Sequence, residues 1–346
     1  MAPQSTPSLF ASRRLAVAAA LACGALLTAC GGGSSDTPPT QTVTSVSQPD
    51  ATADSANANA SGSDTASSLD SVVDTTTALA QAAAQSTAVS PDDRAHALSA
   101  STASAVTNLS VDCAGGGTAT LSITGGTLAS EANGQLDAGE HFTVTYAQCT
   151  GHAGWTQLNG SVEMDVASAD YGTSPATLAV NLTVTNLAVS TPHGSATLNG
   201  TATVSRSVVT SNGTVTTTSN LTVPSATLAT SYNSRSGSFT LTNLDATRTL
   251  TSVAGIATAS QYDGSHTLSG TANGRTFSYT VSTTGNVNYD ATGVLASGAW
   301  TVVRPDATIA TTVANGTVII TVDDGSDGTI DHTWTFPTSQ LDAAAG

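Results

Sequence analysis

The chain has 346 residues, carries 24 acidic against 8 basic side chains for a formal charge of -16, and contains no lysine. An acidic balance of that size makes nucleic acid and anionic headgroups poor partners. The missing lysine removes Schiff-base chemistry, the Ser-x-x-Lys nucleophile pair and the phosphate-gripping lysine of P-loops together.

Arg13 and Arg14 precede the apolar run from Leu15 to Leu27, which is too short and too rich in small residues to make a stable membrane span. Residues 1–29 therefore read as a secretion signal, and they end in Leu27-Thr28-Ala29-Cys30. That ending resembles the lipobox of bacterial lipoproteins, where a small residue precedes the cysteine that is diacylated before cleavage. The resemblance covers this segment alone. It implies that Cys30 becomes the lipid-bearing (palmitate-type) N-terminus, and three acyl chains at about 0.8 kcal/mol per buried methylene would hold the protein durably on its membrane. Gly31 stands where inner-membrane lipoproteins of enterobacteria carry Asp, so the resemblance implies the cell outer membrane, with the periplasmic and surface faces both open. Ser12-Arg13-Arg14-Leu15 partly resembles a twin-arginine signal, but Ala16 replaces the large apolar residue such signals prefer, which favours the general secretory route.

Loss of residues 1–29 removes two arginines and no acid, taking the formal charge from -16 to -18. Cys23 leaves with the signal and Cys30 is taken by lipid. Cys113 and Cys149 then remain in an oxidising compartment and are expected to pair, which contributes about 3–4 kcal/mol on the chain-entropy model. Residues 30–68 hold Gly, Ser, Thr, Asp, Ala, Gln and Pro with almost no large aliphatic side chain, so the expectation is a lipidated flexible tether with a reach of roughly 35 Å. Across 69–105, Leu69, Val72, Val73, Thr76, Leu79 and Ala83 recur at helical spacing. Ser90-Pro91-Asp92-Asp93 reads as an N-cap, and two short helices are expected.

Residues 106–346 form a long series of period-two segments. Leu178, Val180, Leu182 and Val184 share one strand face against Ala179, Asn181, Thr183 and Thr185 on the other, and this scheme recurs along the chain. One wet and one apolar face is an antiparallel signature. Asn212-Gly213, Asp263-Gly264, Asn273-Gly274 and Asn315-Gly316 read as tight turns. A phrase occurs three times, Leu158-Asn-Gly-Ser-Val162, Leu198-Asn-Gly-Thr-Ala202 and Leu268-Ser-Gly-Thr-Ala272. Its glycines sit inside alternating runs and predict bulges or close backbone approach. The fold class is all-β: a large antiparallel meander of roughly a dozen strands, curved or barrel-like. The apolar face suits a sandwich core, a barrel interior or a lipid-facing exterior. Trp155, Trp300 and Trp334 are scattered where a membrane barrel would carry aromatic girdles, which favours a water-soluble sheet.

Two loops invite calcium. Glu131, Asn133, Asp137 and Glu140 surround Gly134 at EF-hand-like spacing, and Asp323, Asp327 and Asp331 do so around Gly328, though neither loop supplies the six to eight oxygens of a full site. Asp, Asn and Gly are equally the residues that close an acidic turn without an ion. The six histidines, His96, His141, His152, His193, His266 and His332, show no metal spacing. No Gly-x-Ser-x-Gly elbow appears, and no catalytic residue is assigned, so the expectation is a non-enzyme. The span from Cys113 to Cys149, with Asp137-Ala-Gly-Glu140 and Tyr146, resembles a pattern among uncharacterised proteobacterial lipoproteins, which implies no activity.

Two functions follow as expectations. One is a cell-envelope lipoprotein presenting a Thr/Ser/Asn-rich sheet to an envelope protein or polysaccharide. The other is a carrier whose apolar face encloses a lipid or other hydrophobic ligand, similar to half-barrel lipoprotein chaperones and lipocalins in inferred architecture only.

Overall fold

The computed structural model describes residues 45–85, 107–112, 116–125, 135–150, 157–172, 174–191, 194–232, 235–254, 256–272, 275–291 and 294–344. Within them lie a long helix, α1 (Gln48–Gln85), a short C-terminal one, α2 (Thr338–Ala344), and a single antiparallel sheet. The sheet begins with β1 (Thr107–Asp112), β2 (Thr118–Gly125), β3 (Glu140–Thr150), β4 (Gln157–Asp170) and β5 (Ala176–Thr191). Its long central strands are β6 (Gly194–Ser211), β7 (Thr214–Tyr232), β8 (Arg235–Val253), β9 (Ile256–Ala272) and β10 (Arg275–Asp290). It closes with β11 (Leu295–Val303), β12 (Ala307–Ala314), β13 (Thr317–Asp324) and β14 (His332–Pro337). Spatial order equals chain order from β1 to β14, the meander that short connections impose. No pairing joins β1 to β14 among the described residues, so the sheet is unclosed.

Alternation decides which face turns inward. On β5, Leu178, Val180, Leu182 and Val184 are buried while Asn181, Thr183 and Thr185 are exposed, as the period-two pattern predicts. Asn212-Gly213 closes β6 to β7 with both residues at positive φ, and Ser211 pairs with Thr214 across it. Asn315-Gly316 does the same between β12 and β13. These are the two-residue turns whose twist matches the flanking strands. Asp263-Gly264 behaves differently: it runs straight through β9, so the expectation of a turn there is corrected. The neighbouring strand β10 absorbs the irregularity instead, with a register shift between Ser282 and Val287, and Thr283 Oγ1 accepts a 2.9 Å bond from Gly264 N.

The repeated Leu-Asn-Gly phrase supplies bulges. Gln148 and Asn186 are non-glycine residues at positive φ, and their N–H groups donate to Asn159 Oδ1 at 2.8 Å and Asn199 Oδ1 at 2.6 Å. Register shifts fall at both places, between Tyr146 and Cys149 and between Val184 and Leu187. Gly160 and Gly200, which follow those asparagines at positive φ, leave room where a Cβ would meet the backbone of Asn186 and of Ser225 and Ala226. These two phrases thus fasten a bulge in the strand beside them, whereas Gly270 of the third pairs in register on both sides, and successive bulges bend a sheet.

The largest departure from expectation is α1. Residues 48–68 belong to a helix and not to a tether, and residues 69–85 continue the same helix; a second helix around Ser90 would lie outside the described residues. Ser47 starts it as an N-cap: its Oγ accepts from Asp50 N and donates to Asp50 Oδ2 at 2.8 Å, with Pro49 in the first turn. The segment is poor in apolar side chains, and intrinsic propensity does not explain a helix of this length. Burial does. Between residues 51 and 70 only Asp64 and Ser68 are exposed, because α1 lies within the curve of the sheet. Val46, just before it, meets β13, and the helix itself meets β11 and β12 at Ser55, β10 at Asn59, β9 at Ser61, and β6 to β8 at Asp70. At a rise of about 1.5 Å per residue and a strand spacing of about 4.8 Å, each helical turn crosses about one strand. Among the described residues, no helix is long and apolar enough to cross a membrane.

Candidate functional site

The inward face of a sheet this long must be covered, and α1 covers it with small residues that allow close approach. Ala51, Ala56, Ala58 and Ala66 are buried, and Gly62 passes so near Tyr262 and His266 that a Cβ there would collide with the Tyr262 hydroxyl. The remaining contacts are polar. Trp300 Nε1 donates to the Ser55 carbonyl and Oγ at 3.1 Å each, and Ser55 Oγ shares a 2.6 Å bond with Thr311 Oγ1. Tyr289 donates to Asn59 Oδ1 at 3.2 Å.

Ion pairs fix the register of the helix. Asp70 sits in a cradle built by three adjacent strands, because Arg206, Ser219 and Arg248 align in one row across β6, β7 and β8. Arg206 donates through Nε at 3.2 Å and through Nη2, Ser219 Oγ donates at 2.7 Å, and Arg248 Nη1 bonds the other carboxylate oxygen. The side chains of Asp70, Arg206 and Arg248 are 2%, 8% and 14% exposed, so this is a desolvated cluster. Burial pulls the Asp70 carboxyl up, but Arg206 and Arg248 more than offset it and hold it below the usual carboxylate value. Nearer the helix start, Arg304 Nη1 donates to Asp54 Oδ2 at 2.7 Å while its Nε and Nη2 grip both oxygens of Asp306 at 2.9 and 3.0 Å. Burial wins at Asp54, whose carboxyl is raised despite Arg304. Arg275 pairs with Asp50 at the exposed rim, where such a pair contributes little.

Between those ion pairs lies a set of buried polar groups. His266 Nε2 is 3.1 Å from Ser61 Oγ, and burial pushes the imidazole down to about 4 against the smaller effect of the Ala58 carbonyl, so it is neutral. Among the described residues the buried hydroxyls of Tyr262 and Tyr279 have no hydrogen-bond partner. Burial raises the Tyr262 and Tyr279 hydroxyls beyond the range of physiological titration.

One constellation invites a catalytic reading. Ser45 Oγ lies 2.7 Å from His332 Nε2, and Asp324 Oδ2 lies 3.1 Å from the same nitrogen. A relay needs the acid on one ring nitrogen and the nucleophile on the other. Here both share Nε2, Asp324 Oδ1 accepts from Val46 N at 3.0 Å, and the ring stacks on Trp334, so the group clamps the entry to α1.

The acidic turn at 323–331 is likewise structural. Asp323 accepts from Asp327 N at 3.0 Å and Gly328 N at 2.8 Å, Asp327 from Thr329 N at 2.8 Å, and Asp331 from Asp324 N at 2.8 Å. The loop turns its N–H groups toward the carboxylates, the arrangement by which an acidic turn closes without an ion. Glu140 is buried and accepts from Asp137 N at 2.6 Å, closing its own turn; Glu131 and Asn133 lie outside the described residues. Among the described residues no group of three or more His, Cys, Asp or Glu could hold a metal ion. Cys149 is disulfide-bonded, while Cys113 and Cys30 lie outside the described residues.

The sequence reading passed over Asp70, Arg206, Arg248 and Arg304. One signal was present: Arg206 follows Ala202 and Val204, and Arg248 follows Leu244 and Ala246, at the spacing that turns a side chain inward. An arginine at an inward position of a strand demands a buried anion. No family model, curated protein or solved structure matches the chain.

Proposed function

We propose that this protein is a lipoprotein of the cell envelope, held in the outer membrane through Cys30, whose β domain has a structural or interaction role exercised through its outer face. The observation that carries this reading is the occupation of the inward face by the protein's own helix, which leaves the outer face of the sheet as the surface on offer. That face is a ladder of short polar side chains: Thr203 donates to Asn181 at 3.1 Å and Thr247 to Asn220 at 2.9 Å. Threonine and asparagine arrays suit hydroxyl-rich partners such as polysaccharide, since they exchange hydrogen bonds without desolvating charge.

Cys113 is the proposed partner of Cys149, pinning the first strands together. Asp112, next to Cys113 in sequence, and Ala147, two before Cys149 on β3, both align with Thr118, which supports this reading. Mass measurement of protein from the periplasm should show no alkylatable thiol before reduction; two would overturn the pairing.

Anchoring is tested by palmitate labelling of the full chain, which should be lost on Cys30→Ser together with membrane fractionation. The outer-face role is tested by co-sedimentation of the released Cys30→Ser chain with peptidoglycan sacculi and by in-cell crosslinking from Asn181 and Asn220. Absence of both retention and a specific crosslink would overturn it.

A further inference from the structure

We infer that the outer face of the sheet binds one extended, amine-bearing glycan chain, laid across the strands along the row Thr183, Thr201, Ser225, Thr242, Thr267 and Thr280. This rests on the outer-face role proposed above and names the chemistry of its partner.

Strand pairing builds that row. Thr183 on β5 pairs with Thr201 on β6, Thr201 with Ser225 on β7, Ser225 with Thr242 on β8, Thr242 with Thr267 on β9 and Thr267 with Thr280 on β10. All of them face outward, exposed or half-buried, and among the described residues no side-chain bond occupies their hydroxyls. Ser225 keeps its place because the register shift between β6 and β7 after Thr201 lets Pro224 and Ser225 both face out. Neighbours in such a row stand about 4.8 Å apart. Each sugar of an extended β-linked chain advances by close to that distance, so a chain crossing the strands meets one hydroxyl per ring. A threonine or serine hydroxyl both donates and accepts, as sugar hydroxyls do. The sheet is convex on this side, since α1 fills its curve, and a single flexible chain follows a bend that a flat crystalline array does not.

Charge complementarity selects the kind of glycan. Towards β4 the row continues into Glu163, the partner of Thr183, and the next outward row runs from Asp165 through Asn181, Thr203 and Thr222 to Asp245. Glu163, Asp165 and Asp245 are exposed. Asp165 is matched by His141, whereas among the described residues Glu163 and Asp245 have no ion-pair partner. Arg206, Arg248, Arg275 and Arg304 all bond to acidic residues of α1, and the chain contains no lysine. Carboxylates beside a line of hydroxyls attract an amine through charge-assisted hydrogen bonds and repel a uronate or phosphate. An extended basic peptide matches the row less well, because its side chains return to one face only every second residue, about 6.7 Å.

The test uses the Cys30→Ser chain with fluorescently labelled hexamers of β-linked glucosamine, of its N-acetylated form and of a β-linked uronic acid. The glucosamine hexamer should bind saturably at one per chain and at least tenfold more tightly than the acetylated one, and the uronate hexamer should not bind. Affinity for glucosamine should rise at least tenfold from dimer to hexamer. Thr183→Val with Thr201→Val removes hydroxyls without changing charge and should weaken binding severalfold. Glu163→Gln with Asp245→Asn should abolish the preference for the amine. All four positions are exposed, so thermal melts should stay near that of the parent chain. Length dependence and the comparison of hexamers on the parent chain decide the matter even where a variant does not fold. A hexa-arginine peptide that binds as tightly as the glucosamine hexamer, unchanged affinity in the folded Thr183→Val, Thr201→Val chain, equal binding of amine and uronate, or no saturable binding would overturn it. Crosslinks from Asn181 and Asn220 without glycan binding would overturn the glycan assignment alone and leave the outer-face role standing.

Discussion

Asp54 and Asp70 lie on the same helix, are both buried, and both face arginine, yet they titrate in opposite directions. At Asp70, Arg206, Arg248 and Ser219 converge on one carboxylate and outweigh desolvation. At Asp54 the bonded arginine, Arg304, is shared with Asp306, and desolvation outweighs it together with the weaker pull of Arg275. What separates the two is how many donors converge on the carboxylate: two guanidiniums and a hydroxyl hold Asp70, whereas Arg304 divides itself between Asp54 and Asp306. One end of α1 is locked by its charge, and the other rests on Trp300, Thr311 and the fit of small residues.

Asp70→Asn breaks this comparison most severely. It removes the buried carboxylate charge on which Arg206, Arg248 and Ser219 converge and should cost about 3–5 kcal/mol in urea unfolding, whereas Asp54→Asn should change stability by less than about 1 kcal/mol. Equal losses would show that the Asp70 cluster is no tighter than a shared pair.

Acid sharpens the comparison by adding the middle of the helix. His266 is neutral in the fold with its value pushed down to about 4, so the stability it confers is present above about 6.5 and is lost as pH falls from there towards 4, by roughly 3 kcal/mol. Asp70 acts lower: its depressed carboxyl keeps its contribution above the ordinary value of 3.8 and loses it only below that. Asp54 runs the other way, since a raised carboxyl makes the fold gain stability as pH falls through its value towards 3.8. Urea midpoints measured across this range should fall from pH 6.5 to 4 and fall again below 3.8, and His266→Gln should remove the first fall alone.

The smallest effect is at the Asp54 end. Ser55→Ala removes the hydroxyl bonded to Thr311 but leaves the Ser55 carbonyl for Trp300, and a loss of about 1–2 kcal/mol is expected in thermal melts. A loss as large as that of Asp70→Asn would place the main lock of α1 at this end instead.

The strands were readable because their signal is local: a side chain two residues away shares a face, so Leu178 to Val184 declares the inward side with no knowledge of the partner. The helix was not. Its start carried a recognisable cap at Ser47-Gln48-Pro49-Asp50, the same kind of signal noted at Ser90-Pro91-Asp92-Asp93, but the residues that follow lack an apolar stripe. Low apolar content suggests a tether only when nothing else offers burial. Asp323, Asp327 and Asp331 illustrate the converse, since one spacing serves an ion or a turn, and the bonds from backbone N–H groups to Asp323 are seen only in the folded loop.

Composition, alternation and turn dipeptides determined by themselves that the chain holds an antiparallel meander with one wet and one apolar face, because those features depend on neighbours a few residues apart. Tertiary structure alone decided what covers the apolar face. Asp70 finds Arg206 and Arg248 at separations of 136 and 178 residues, and Ser55 finds Thr311 at 256. Contacts of that kind leave no periodic trace in a chain. They exist only once bulges have curved the sheet far enough to hold a polar, small-residued helix in a place where its few charges are matched.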